Sequence, residues 1–302
     1  MSAPAAAFPP AEAGRRRRRE WLIAYLFLLP FLAVYLVFLV YPLIDGFWIS
    51  LHDWELIGNV RDYIGFANYA DLWSDPLFWQ TVRNTGVFAL MTVPTMTVCA
   101  LALALAVSRP GWLFSLLRGI FFASSVFSVS VVTLVWHMVL DGDRGLIANL
   151  FRSVGLQPIG FLGDPDWAMP SLVVTTLWWS VGLPMALFIA ALQQIPSDIY
   201  EAAELDHASW WKVLTRITLP GIRRTIVLVL VLQVVMQFQM FGQAQLMTKG
   251  GPADQTRTIV QYIYDTGFRD WQIGYASAMA MVLFVLMFSV SMLQLFIGRK
   301  ED

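Results

Sequence analysis

Apolar residues along this chain gather into six long stretches, at about residues 21–44, 84–107, 119–140, 170–191, 222–247 and 273–297, with short polar connections between them. Each is near the roughly 20 residues a helix needs to cross about 30 Å of hydrocarbon. No Asp, Glu, Lys or Arg lies inside the first four or the last, and the fifth holds only Arg223 and Arg224 at its start. Charge buried in hydrocarbon is costly, so its crowding into the connections is what a membrane-embedded bundle requires. The pattern therefore predicts an all-α integral membrane protein of six transmembrane helices. Pro30, Pro42, Pro94, Pro170 and Pro184 punctuate the spans, and the two near mid-span, Pro94 and Pro184, should kink their helices or loosen a turn.

Composition points the same way. The chain is 58% hydrophobic and 14% charged, whereas soluble domains average about 45–50% and about 25%. A net charge of -1 supplies no field to gather nucleic acid or acidic substrates. The lone Cys99 cannot form an internal disulfide and reads as a small buried hydrophobe. Residues 1–20, Ala- and Pro-rich and then basic from Arg15 to Arg19, read as a disordered cytoplasmic tail. The apolar run that follows, Trp21 to Pro42, exceeds a signal-peptide core of about 7–15 residues and lacks an A-x-A-like end, so it reads as an uncleaved first span.

Cytoplasmic segments should carry the Lys and Arg excess. With the N-terminus inside, the inner segments hold Arg15 to Arg19, Arg109, Arg118, Lys212, Arg216, Arg223, Arg224, Arg299 and Lys300, and the outer ones only Arg61, Arg83, Arg144, Arg152, Lys249, Arg257 and Arg269. Both termini are then cytoplasmic. The unit is a transmembrane domain over 21–298 with a short cytoplasmic tail at 299–302. The outer loops are rich in Trp and Tyr (Trp48, Trp54, Tyr63, Tyr69, Trp73, Trp79), as an interfacial belt would be.

One inner connection, residues 196–220, has a pattern of its own. Pro196 followed by Ser197 and Asp198 starts a helix, with Asp198 and Glu201 at capping-box spacing. Ile199, Ala202, Ala203 and Leu205 give it a small apolar face. A second helix from about Ser209 to Thr218 places Trp210, Val213, Leu214 and Ile217 at i, i+3, i+4 and i+7, and Pro220 should end it. Two short helices at about a right angle, with small residues that permit close approach, suit docking into a groove on a partner.

The run Glu201-Ala202-Ala203-x-x-Asp206-x-Ala208, with Ile217-x-Leu219-Pro220 after it, resembles the EAA loop of binding-protein-dependent ABC importer permeases. Phe66-x-Asn68-Tyr69, Asp75-Pro76-x-Phe78-Trp79, Gly145-Leu146-Ile147-x-Asn149, Leu162-x-Asp164-Pro165, Gly250-Gly251-Pro252 and Gly274-Tyr275-Ala276 resemble the sugar branch of that family, the maltose-, lactose- and glycerol-3-phosphate-type permeases. The likeness extends over nearly all of residues 21–297. It implies a permease subunit of the inner (plasma) membrane, a separate ATPase pair, a second homologous permease subunit and an external substrate-binding protein. It also implies that Glu201, Ala202, Ala203, Asp206, His207, Ala208, Leu219 and Pro220 meet the ATPase. His207 departs from the family, which has Gly there. A turn of positive φ is natural for Gly, and His adopts it at a cost.

The sequence has no G-x-x-x-x-G-K-[ST] phosphate cradle, since the dipeptide Gly-Lys does not occur. No cofactor is expected on this chain; ATP and magnesium would sit on the ATPase subunits. No catalytic or metal site is expected either. His137 is the one titratable side chain at its depth in the third span and reads as a packed histidine. For a solute pathway the candidates are Gln233 and Gln237, four apart on one helix face, with Met240 and Phe241 one turn on, and Trp179 and Ser180 beside Trp178 in the span before the EAA-like loop. The plainer role for these polar groups is hydrogen bonding between helices. Outer residues 45–82 and 248–272 are expected to receive the binding protein. An ion-coupled transporter would need intramembrane carboxylates or broken helices, and a membrane enzyme would need paired titratable groups; neither pattern stands out.

Overall fold

The computed structural model describes residues 10–55, 57 and 61–299. The expected tails at residues 1–9 and 300–302 lie outside the described residues. Residues 10–20, expected to be disordered, are helical instead. Pro10 occupies the first helical position, where its missing N–H costs nothing, and Ala, Glu and Arg are strong helix formers.

The helices run as α1 (Pro10–Tyr35), α2 (Tyr41–Ser50), α3 (Ala67–Ser74), α4 (Pro76–Val107), α5 (Trp112–Ala123), α6 (Val129–Leu140), α7 (Leu146–Ser153), α8 (Pro165–Ser180), α9 (Gly182–Leu192), α10 (Ser197–Leu205), α11 (Trp210–Val213), α12 (Leu219–Gly221), α13 (Arg223–Phe238), α14 (Ile259–Tyr264) and α15 (Ile273–Arg299). A small hairpin, β1 (His52–Trp54) with β2 (Arg61–Tyr63), pairs antiparallel between α2 and α3. Three helical paths are long and apolar enough to cross a membrane: Trp21–Ser50, Pro76–Val107 and Ile273–Phe296. The other three candidates are bent pairs: Trp112–Val126 with Val129–Leu140 at 102°, α8 with α9 at 50°, and Trp210–Gly221 with α13 at 68°.

Two of these bends have a local cause. Between α5 and α6, Ser128 caps the second half by accepting from the Val131 amide, and Ser124 and Ser125 both donate to the Trp179 carbonyl at 3.2 Å. Between α8 and α9, Pro184 removes the amide that would close the turn at Ser180, as the sequence led us to expect. Pro94, by contrast, leaves α4 a single helix. The second path starts eight residues earlier than its apolar stretch, because Asp75 accepts from the Leu77 amide at 2.8 Å and Pro76 takes the first position.

The fifth path departs most from expectation. Read as an uninterrupted span over 222–247, it instead breaks at Gln239–Phe241 and resumes as a wide π turn over Ala244–Thr248. The loosened backbone is partly repaired by Thr258, whose hydroxyl donates to the Met240 carbonyl at 2.8 Å. Irregular backbone at such depth is tolerated where protein covers it or where it lines a cavity.

α4 is the central strut and packs on α8, α9, α13 and α14. Its stripe Met96, Ala100, Ala104 and Val107 meets Val181, Met185 and Phe188 around the α8–α9 junction, Ile222 just before α13 and Val229 within it. Lipid tails are as apolar as Leu, so such contacts act through close packing, which the alanines permit. A second cluster joins Phe88 of α4 to Leu172 of α8 and to Met240 and Ala244 at the break in the fifth path. The first path is different: its most apolar window has no buried residue, and Phe27 is 80% exposed in the lone chain. Cys99, expected to be buried, is exposed on α4. An apolar run at membrane depth does not distinguish the side facing the core from the side facing outward.

Candidate functional site

Three neighbourhoods carry the polar chemistry, one at each end of the bundle and one inside it. At one end, α10 and α11 form the elbow read from the sequence, with two corrections. Asp198 does not make the capping box; Pro196 takes the cap position with extended backbone, so Asp198 lies already inside the first turn, where its charge still favours the helix N-terminus. Pro220 does not end the second helix. A π turn over Leu214–Thr218, closed by the Leu219 amide on the Leu214 carbonyl, accommodates it, and the chain continues through α12 before bending into α13.

The corner between α10 and α11 is a Schellman-type turn. The Ala208 amide donates to the Ala203 carbonyl at 2.9 Å and the His207 amide to the Glu204 carbonyl at 3.0 Å. His207 supplies the left-handed residue with φ 50°, the conformation for which Gly is the usual choice. Glu201, Ala202, Asp206 and His207 are all exposed, Ala208 and Leu219 half-buried, Pro220 exposed, and only Ala203 is buried. Trp210 and Trp211 stand 68% and 64% exposed. The Tyr200 hydroxyl is 3.2 Å from that of Thr218, which fastens α10 to the π turn. The elbow thus offers its acidic and small residues outward while held from behind.

Inside the bundle, Trp179, Ser180, Gln237, Met240 and Phe241 line one cavity of about 370 Å³, together with Val129, Thr176, Met236, Gln239, Gly242 and Gln243. Five of the six pathway residues read from the sequence are therefore brought together. The sixth, Gln233, is 2% exposed and lies behind the lining, where it accepts from Gln237 Nε2 at 2.9 Å. Thr176 was not singled out by sequence; it sits one turn before Ser180 on α8, and that spacing is the signal that could have found it. No Lys, Arg, Asp or Glu lines the cavity. The break in the fifth path supplies Gln239 through Gln243. Gly242 is required there because a Cβ would fall 2.5 Å from Val129 Cγ2. Exposed His137 is not part of this lining, and no three His, Cys, Asp or Glu among the described residues could hold a metal ion.

At the other end of the bundle, Asp75 ties three distant segments. Its Oδ2 accepts from the hydroxyls of Tyr262 on α14 at 2.7 Å and Tyr275 on α15 at 2.9 Å, while Oδ1 caps α4. Burial works against the Asp75 charge, but the two phenols and the helix-start amides outweigh it and hold the carboxyl below its ordinary range. Burial, and then the neighbouring carboxylate, push the Tyr262 phenol up, so it remains a donor. The segment so anchored also reaches the cavity, through Thr258 on the Met240 carbonyl and Gln261 Nε2 on Gln245 Oε1 at 2.7 Å. The two loops expected to receive the binding protein touch as well, by a bridge between Glu55 and Gln272.

Residues 96–301 match the family described as binding-protein-dependent transport system inner membrane component. The lactose transport system permease protein LacF of Rhizobium radiobacter is 31% identical over 92% of this chain and 94% of its own length. The trehalose/maltose transport system permease protein MalF of Thermococcus litoralis is 30% identical over 93% of this chain and 95% of its own length. Among solved structures, a chain of a bacterial alginate ABC transporter, in complex with a periplasmic protein bound to alginate pentasaccharide, superposes with TM-score 0.83 over 95% of this chain and 96% of that one, at 24% identity. That last likeness is one of fold.

Proposed function

This chain belongs to the family of binding-protein-dependent transport system inner membrane components, and from that premise we propose that it is one half of the pore of an ATP-driven sugar importer. The relatives named for lactose and for trehalose and maltose support the solute class. So does a cavity whose lining is carboxamide, hydroxyl and aromatic, with no charge. The observation that carries the reading is a mechanical one. α13, 16 residues or about 24 Å long, begins at the elbow and ends at the cavity. Movement of the elbow is therefore delivered by a stiff rod to Gln237 and to the break beyond it.

In this account the six paths are six spans, three straight and three bent, with both termini in the cytoplasm and the chain in the inner (plasma) membrane. The exposed Glu201, Ala202, Asp206 and His207 enter a groove on an ATPase subunit. That subunit pair holds ATP and magnesium, and this chain hydrolyses nothing. A second, homologous permease subunit covers the open side of the cavity. An external binding protein delivers the solute to the outer loops, 45–82 and 248–272. Closure of the ATPase pair draws α10–α12 together and swings α13 about the bend at Ile222, so access switches by rigid-body motion.

Glu201→Ala and Asp206→Ala should each cut uptake at least tenfold in the assembled transporter while the protein still inserts, with ATPase activity no longer stimulated by the loaded binding protein. Wild-type uptake in both variants would remove the elbow from the coupling path.

A further inference from the structure

Behind the elbow lies a second cavity, of about 460 Å³, which the solute pathway does not use. The ends of α4 and α9 form one side of it, and α10, α11 and the π turn the other. Its polar lining is rich in free donors. Arg109 follows the end of α4, Gln193 ends α9, and Trp210 begins α11. None of the three makes a side-chain hydrogen bond or ion pair among the described residues. A guanidinium carries five N–H groups, a carboxamide two beside its carbonyl oxygen, and an indole one. Acceptors are fewer. Ser108 spends its hydroxyl hydrogen on the Leu105 carbonyl at 3.1 Å and keeps only its oxygen. No Asp or Glu lines the cavity. The C-terminal ends of α4 and α9 favour a cation here, which accounts for Arg109, but the partial charges of a helix end do not neutralise a full one. The rest of the wall, with Leu105, Leu192, Val213 and Leu214, is apolar. Charge along the elbow is sorted too. α10 carries Asp198, Glu201 and Glu204 and no base, whereas Trp210–Thr218 carries Lys212 and Arg216 and no acid. An anionic surface therefore attracts α11 and repels α10. Exposed Trp210 and Trp211 are the residues a membrane interface collects.

Resting on the permease reading above, which puts the elbow at the cytoplasmic face, we propose that this cavity holds the headgroup of an anionic phospholipid, with Arg109 on the phosphate, Gln193 and Trp210 donating to its oxygens, and an acyl chain along the leucines and Val213. A basic pocket between helix ends on the cytoplasmic side suits such a headgroup. A free phosphate ion would match the donors but has no use for the apolar wall. The headgroup ties the end of α4 to α11 and so braces the elbow against the bundle. Movement imposed on α10 is then passed to α13 instead of being absorbed within the elbow.

The test uses the full chain purified with its partner subunits. Native mass spectrometry measures binding of phosphatidylglycerol and of phosphatidylcholine. Uptake per ATP hydrolysed is then measured in vesicles of phosphatidylcholine alone and of an equal mixture of the two lipids. Arg109→Gln should bind phosphatidylglycerol about fivefold to tenfold more weakly than wild type, the effect of one cation at an anionic headgroup. Wild type should couple better in the mixed vesicles, and Arg109→Gln should couple equally in both. Trp210→Phe keeps a ring and removes the N–H, so its binding should fall between the two, and it decides the matter if Arg109→Gln fails to assemble. Arg216→Gln removes a cation of the elbow that does not line the cavity, and should stay within about twofold of wild type. The proposal is overturned if Arg109→Gln and Trp210→Phe both bind phosphatidylglycerol as wild type does, if Arg216→Gln loses as much as Arg109→Gln, or if phosphatidylcholine binds equally well. It is overturned as well if inorganic phosphate displaces the lipid and restores coupling in phosphatidylcholine vesicles, since the ligand would then be a soluble anion. Selective binding of phosphatidylglycerol by a wild type that neither takes up sugar nor hydrolyses ATP would keep the lipid site and overturn the permease reading instead.

Discussion

Asp75 is the residue on which the end of the molecule remote from the elbow converges. Its carboxyl is held below the ordinary value, so its contribution is fully present above about pH 4 and is lost as pH falls through the lowered value. Thermal stability of the purified protein, followed from pH 7 to pH 3, should fall less steeply in Asp75→Asn than in wild type, and the variant should be the less stable at pH 7. Parallel curves would mean that the two phenols do not engage the carboxylate. In the sequence Asp75-Pro76 was legible only as part of the family resemblance, not as a helix start. The bonds to the tyrosines, 187 and 200 positions away, were not legible, because local pattern carries no information about contacts at that range. His207 was legible in a different way. Its position after Asp206 predicted a left-handed turn, and the backbone takes φ 50°. Gln233 and Gln237 were read as equals from their shared helix face. Periodicity puts side chains on a face but does not tell which of two touches a cavity and which sits behind it.

At the scale of elements, the hydropathy pattern fell on three straight helices and on three bent pairs, and it did not mark the bends. Apolar length reports the solvent, whereas a bend is set by a few side-chain hydrogen bonds and a close approach. Proline is an uneven guide: Pro184 accompanies a 50° bend, Pro94 leaves α4 unbroken, and the 102° bend near Ser124–Ser128 has no proline at all. Gly182 is the close approach that fixes the α8–α9 bend against α5. A Cβ there would stand 2.7 Å from the Phe121 carbonyl oxygen and 2.8 Å from Phe122 Cα, both backbone atoms that cannot swing aside. Gly182→Ala should therefore cost about 1–3 kcal/mol, seen as a lower melting temperature in detergent, and should weaken solute uptake by moving Trp179. An unchanged melting temperature would show that the helices do not meet so closely. The break at Gln239–Phe241 escaped the sequence for the opposite reason. Its residues are polar or flexible enough to continue a helix, and only the tertiary bond from Thr258 to Met240 and the crowding of Gly242 on Val129 place it there.

Taken whole, and on the function proposed, the chain is a lever with a polar pocket at one end of a rod and a docking elbow at the other, clamped at the far side through Asp75. That arrangement has a function only if the elbow faces the compartment that contains ATP. The direct measurement is side-specific labelling of Ser209→Cys, an exposed elbow position, in a Cys99→Ala background that removes the exposed native thiol. With a membrane-impermeant maleimide, reaction should occur in inside-out vesicles and be absent from right-side-out ones. Labelling of sealed right-side-out vesicles would place the elbow beyond the reach of any cytoplasmic ATPase and contradict the account.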